Sequence, residues 1–193
     1  KQIKNWLSLD KINEIIEHLK QDLTDEQNIQ WYFMLSFWME YPIRNDLQHT
    51  EIISLKKYKS LLNAELELKN YFVLTKSPFL SISQYKTFSK YGIKKIIIND
   101  EIKKILLNYL PFNKTNHILY NIKNKSSMSS EDITKSFNKL FMKFYPEKKI
   151  STTMLRHIIL TEKYGKTLEE MRELAEIMGH DINTAHNVYI KYD

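Results

Sequence analysis

Cysteine is absent from the 193 residues, which removes disulfides, zinc–thiolate sites and cysteine nucleophiles together. No run approaches the roughly 18 uninterrupted apolar residues that a membrane helix needs. Hydrophobic residues make up 42% of the chain, enough to pack the core of one substantial domain. The opening, KQIKNWLSLDK, has neither a Met nor the apolar stretch of a signal peptide, so the chain reads as a fragment of a soluble, intracellular protein that is not secreted. Internal repeats, low-complexity tracts and an interdomain linker are also missing. Residues 1–193 therefore read as one domain, with 1–9 as a leading linker.

Arginine is the other scarce residue. Lys and Arg together number 29 against 23 acidic residues, for a formal charge of +6, which favours polyanionic partners. Only Arg44, Arg156 and Arg172 are arginines; the other 26 are lysines. With abundant Ile and Asn, this is the signature of an AT-rich coding sequence that uses Lys wherever a plain positive charge suffices. A guanidinium is a rigid planar fork that grips phosphate or carboxylate through two parallel hydrogen bonds, which an ammonium cannot copy. Each arginine therefore calls for its own explanation. Arg172 has one at hand, since Glu169, Glu170, Glu173 and Glu176 surround it at helical spacing.

What is present is mostly helical in pattern. Asp10 to Leu23 places Ile12, Ile15, Ile16 and Leu19 on one face. Thr24 to Gln27 reads as a capping box that opens an apolar helix through Trp31, Phe33, Leu35 and Trp38, and Pro42 ends it just before Arg44. Leu55 to Lys69 reads as an inserted helix. NYFVLT, FLSISQY and KKIIIN, between Asn70 and Asn99, are short runs rich in β-branched and aromatic residues separated by KSP and SKYG. Helices are expected again at Asp100–Leu110 and Ser130–Phe144. Ser151 to Thr153 can cap a helix carrying Met154, Leu155, Ile158 and Ile159, and Thr167 to Glu170 a separate one, TLEEMRELAEIM. Gly179 would stop that helix and Asp181 would cap a last one. The expected fold is mainly α with a small antiparallel three-stranded sheet.

Five features form a set: Arg44 after Pro42, Lys86 at the end of the second strand, Arg156 in Leu-Arg-His, His180 in Met-Gly-His, and Tyr189 nine residues later. That order and spacing, from about Trp31 to Asp193, resembles the catalytic domain of the tyrosine recombinase (phage integrase) family. The resemblance implies a site-specific recombinase that cleaves and rejoins double-stranded DNA through a covalent 3′-phosphotyrosyl intermediate. It implies no metal and no nucleotide cofactor, and four protomers around two duplexes. The N-terminal core-binding domain common in the family has no counterpart here, since too little sequence precedes Asp10. The AT-rich signature favours integration of viral or mobile-element DNA over chromosome-dimer resolution.

The chemistry suits these residue types. Attack by a phenol on a phosphodiester loads negative charge onto the equatorial oxygens, and fixed donors aimed at those oxygens are the main catalytic lever. Arg44 and Arg156 would be two such donors and His180 a third. Lys86 would protonate the leaving 5′ oxygen, and Tyr189 would hold the 3′ phosphate. Lys56, Lys57, Lys90 and Lys94, with Tyr58, would hold the DNA backbone. The family usually has a His three residues before the second Arg and an acid three residues after the first; this chain has Thr153 and Leu47 there, with Asp46 one step earlier. Thr153, His157 and Asp46 are therefore candidates for supporting roles. A type IB topoisomerase and a catalytically inactive DNA-binding relative are the alternatives.

Overall fold

A computed structural model describes residues 3–177 of the chain. Helix α1, Leu9–Lys20, is capped by the Ser8 hydroxyl and buries Ile12, Ile15 and Leu19, the face expected from the spacing. Helix α2, Glu26–Glu40, starts one residue later than the Thr24 box would place it. Asp25 is the cap, its carboxylate accepting from Asn28 N at 2.7 Å, while the Thr24 hydroxyl donates to Asp22. All ten residues from Ile29 to Trp38 are buried, so α2 has no polar face and forms the axis of the core.

Strand β1, Glu51–Ser54, follows the turn after α2. Two short helices come next, α3 (Leu55–Ser60) and α4 (Asn63–Leu68), where one inserted helix was expected. Strands β2 (Tyr71–Leu74) and β3 (Phe79–Ile82), the one-turn helix α5 (Phe88–Tyr91) and strand β4 (Lys94–Ile97) follow. Between α5 and β4 the backbone passes through Gly92 at φ +62°, a left-handed conformation that glycine adopts without steric cost.

The sheet has four strands in the order β1-β2-β3-β4, where three antiparallel strands were expected. The β2–β3 and β3–β4 pairs are antiparallel, but β1 pairs with β2 in parallel, Glu51 opposite Tyr71 and Ser54 opposite Leu74. A parallel pair needs a long crossover, and α3 and α4 provide it. Four residues with two adjacent isoleucines carry no alternation that would announce such a strand.

Helix α6, Asp100–Tyr109, and helix α7, Ser130–Phe144, lie close to where the sequence puts them. Helix α8, Thr152–Ile177, corrects the reading of two separate helices: it runs unbroken through Gly165 and Thr167. Glycine costs a helix interior only about 1 kcal/mol relative to Ala, and the Lys166–Glu170 ion pair spans the expected break. Met154, Leu155, Ile158 and Ile159 of α8 are buried. Helices α1, α6, α7 and α8 all pack on α2. The segment before α1 also packs inward: Leu7 is buried, and Trp6 Nε1 and Leu9 N both donate to the Glu162 carboxylate of α8. Among the described residues no helix is long and apolar enough to cross a membrane.

Phe33 is fully buried and stacks on Tyr109 at 4.9 Å. Phe33→Ala is expected to cost about 3–5 kcal/mol, measured as a shift in the urea midpoint, whereas Leu62→Ala on the exposed rim of α4 should stay within about 0.5 kcal/mol. The start of α7 yields a pH-dependent outcome. The Ser129 backbone N–H and hydroxyl both donate to Asp132 and hold its carboxyl below the ordinary value. The ionised form is thus favoured on folding, so the stabilisation is complete above the unfolded value near ~4 and is lost as pH falls through the lower folded value. Asp132→Asn should be less stable than the wild type at neutral pH, and urea midpoints should show the gap closing below pH ~4.

Candidate functional site

The loop that leaves α2 is held at several points. Tyr41 N closes the helix on Phe37 O at 2.8 Å, and the Trp38 indole donates to Ile43 O at 3.0 Å. The Tyr41 hydroxyl donates to Ile97 O and accepts from Asn99 N, which ties the loop to the end of β4. Arg156, one turn into α8, donates Nε–H to Pro42 O at 2.8 Å. Glu162, further along α8, is engaged with Trp6 and Leu9 and not with Arg156.

Arg44 itself is exposed, and its neighbours on the loop are bonded inward. The Asn45 carboxamide donates to Ser130 O, Ser130 Oγ and Thr134 Oγ1 of α7, and accepts the Thr152 hydroxyl of α8 at 2.6 Å. Asp46 O accepts from the side chain of Asn70, which precedes β2. The same Asn70 accepts from Ser83 N and Gln84 N, both at 2.8 Å, where the chain leaves β3. One buried asparagine therefore joins the Arg44 loop to the turn that carries Lys86. Arg44, Asp46, Gln84, Tyr85, Lys86 and Ser130 line a common open cleft of about 440 Å³.

Charge converges on Asp46. Burial lifts its carboxyl above the ordinary value, opposed by the Arg44 backbone and by the positive charges of Arg44, Arg156 and Lys94. Both guanidiniums and one ammonium are thus close enough to one carboxylate to act on it. Lys94 lies 4.6 Å from the centre of the Tyr85 ring and 5.0 Å from that of Tyr91, and Lys90 is 5.1 Å from the latter. These contacts are cation–π in geometry. Both ammonium groups remain exposed beside these rings.

The other sequence candidates fall differently. Thr153 and His157 are exposed on α8, and neither lines the cleft; the adjacent Thr152 is the buried hydroxyl that bonds to the loop. Leu47, where the family pattern has an acid, is fully buried in the core. Lys56 and Lys57 are exposed on α3 and do not line the cleft. Tyr58, expected among the DNA-backbone contacts, is buried instead, its hydroxyl 3.0 Å from Ser81 Oγ and its ring against Tyr71 and Phe79. Arg172 lies sixteen residues beyond Arg156 on α8, a rise of about 24 Å. Gly179, His180, Asp181, Tyr189 and Tyr192 lie outside the described residues. Asn45 and Asn70 were missed: a loop Asn and an Asn before a strand carry no local signal of their partners 85 and 13 residues away. Among the described residues no group of three or more His, Asp or Glu side chains is arranged to hold a metal ion.

No protein-family model matches the sequence, and no curated protein matches it. Solved structures do match. The XerH site-specific recombinase bound to its difH substrate in a pre-cleavage complex superposes with a TM-score of 0.54 at 17% identity, over 100% of this chain and 52% of that one. The XerA recombinase matches with a TM-score of 0.53 at 16% identity, over 97% and 59%. The Tn1549 transposon integrase in complex with transposon right end DNA matches at 0.52 and 16%, over 97% and 62%. The chain therefore spans 52–62% of the length of these three proteins. Helices around α2, a small sheet beside them and a cleft where the two meet give this chain the fold of the tyrosine recombinases and integrases.

Proposed function

We propose that this chain breaks and rejoins strands of duplex DNA through a 3′-phosphotyrosyl intermediate, with Tyr189 as the nucleophile. The observation that supports this most is that Arg44 and Lys86, from distant parts of the chain, line one open cleft with Asp46, a carboxylate on which the charges of Arg44 and Arg156 both act. A phosphodiester in that cleft would meet two guanidinium forks at its nonbridging oxygens, and their charge would offset the extra negative charge of the pentacoordinate transition state. The Tyr189 oxygen attacks phosphorus as its proton passes to solvent, the bond to the 5′ oxygen breaks, and the Lys86 ammonium gives that oxygen a proton. The phosphotyrosyl ester retains the energy of the broken linkage, so a 5′ hydroxyl can reverse the step on the same or another strand. His180 is assigned a further hydrogen bond to the phosphate. Lys90 and Lys94, braced on Tyr85 and Tyr91, are assigned to neighbouring phosphates. The DNA ligands named for the matched XerH and Tn1549 proteins agree with this reading.

A pool of nicked suicide duplexes with randomised central sequence tests the chemistry. The wild type should give a protein–DNA adduct that survives SDS and is absent in Tyr189→Phe. Arg156→Lys should lower the rate of adduct formation by about 10²–10³. Salt-sensitive binding without any adduct would identify an inactive DNA-binding relative, and relaxation of supercoiled plasmids irrespective of sequence would identify a topoisomerase. Binding has its own signature. Replacing Lys94 by Ala should weaken affinity across all sequences and reduce the slope of log K against log salt by about 0.9.

A further inference from the structure

The two arginines that act on Asp46 come from elements that are far apart in sequence and that differ in rigidity. Arg156 is on a long helix, whereas Arg44 is on an irregular loop. A guanidinium pair can stabilise a transition state only if its separation is fixed before the reaction, because reorganisation during the step would consume the gain. Two contacts link loop to helix. One is the bond from Arg156 Nε to Pro42 O, and the other is the Thr152 hydroxyl on the Asn45 carboxamide at 2.6 Å. Thr152 and Arg156 are four residues apart, so both contacts leave the same face of α8. Pro42 and Asn45 bracket Arg44 in the loop.

We propose that Asn45 is a positioning residue that sets the separation of the Arg44 and Arg156 guanidiniums, acting through Thr152. This rests on the DNA-cleaving reading for its purpose, though not for its geometry. Asn45 suits the task because its carboxamide is used at both ends. The oxygen takes the α8 hydroxyl, and the nitrogen reaches Ser130 and Thr134 on α7. Neither end can rotate without abandoning a partner in a site where Thr152 is only 2% exposed. The loop is thereby held against two helices at the residue immediately after Arg44. Asp would lose the donors and Ser would lose the reach.

The scarcity of arginine makes the test direct. Chain labelled with ¹⁵N-arginine has three Nε–H signals, from Arg44, Arg156 and Arg172, each assigned by its Lys variant. In Thr152→Val, which removes the hydroxyl and retains the shape, the Arg44 signal should move and Arg156 Nε–H should exchange with solvent about tenfold faster. Thr152→Ser should restore both, and the Arg172 signal should not respond in either variant. In the suicide-duplex reaction, Thr152→Val should form adduct about tenfold more slowly while the bound fraction changes less than about twofold. Unchanged Arg44 and Arg156 signals in Thr152→Val, or equal losses in binding and rate, would overturn the proposal. If Thr152→Val does not fold, the same signals are read in Asn45→Asp, which loses the donors to α7, and no response there overturns it equally. Adding duplex DNA to the wild type separates the two readings. Arg44 and Arg156 should shift together; if neither does, the DNA-cleaving function fails, while the coupling measured in the free protein stands.

Discussion

The hydrogen bond from Arg156 Nε to the Pro42 carbonyl, with its neighbour between Thr152 and Asn45, is where the helical core meets the loop that displays Arg44. Everything nearby serves to keep that junction in place. Helix α2 is buried on all sides and cannot shift, so its C-terminal end is a fixed point. The Trp38 indole bonds forward to Ile43 O from within the core, so the exit direction of the chain is set by a side chain with no access to solvent. Asn70 then carries the rigidity across to the sheet, where the Lys86 turn begins. The cleft is assembled from irregular backbone: the Arg44 loop is bonded to α7 and α8, which pack on α2, and the Lys86 turn is bonded to Asn70.

Much of this arrangement was legible in the residues. Periodic apolar spacing located α1, α6 and α7, because each has one buried face and one solvated face. Arginine scarcity singled out Arg44 and Arg156, since 26 of the 29 basic residues are lysines. The parts that stayed hidden share a physical character. Strand β1 is defined by a parallel partner twenty residues away, so nothing within its four residues marks it. The continuity of α8 depends on the balance between a mild glycine penalty and regular hydrogen bonding, a margin too small for pattern reading to resolve. Tyr58 looked like a surface aromatic among lysines, yet α3 turns that one side chain inward against β2 and β3. Asn45 and Asn70 act through tertiary hydrogen bonds, and short-range sequence carries no trace of those.

Electrostatically, the cleft balances attraction with order. A formal charge of +6 draws a polyanion to the molecule as a whole but does not select a place on it. Selection comes from the local set: two guanidiniums and Lys94 act on a single partly buried carboxylate, with Lys86 on the rim. The Asp46 carboxylate offsets part of the positive charge gathered around it. Partial burial holds its carboxyl above the ordinary value.

The bond to Pro42 has a stereochemical corollary. A guanidinium offers five N–H groups in one plane, and here the Nε edge is already occupied by a backbone carbonyl. Its orientation is therefore settled before any ligand arrives, and a tetrahedral ester must turn to suit it. The pro-R and pro-S oxygens of a DNA linkage bound as proposed, already diastereotopic in free solution, would then face different surroundings. A guanidinium anchored along one edge in this way would tell those two oxygens apart.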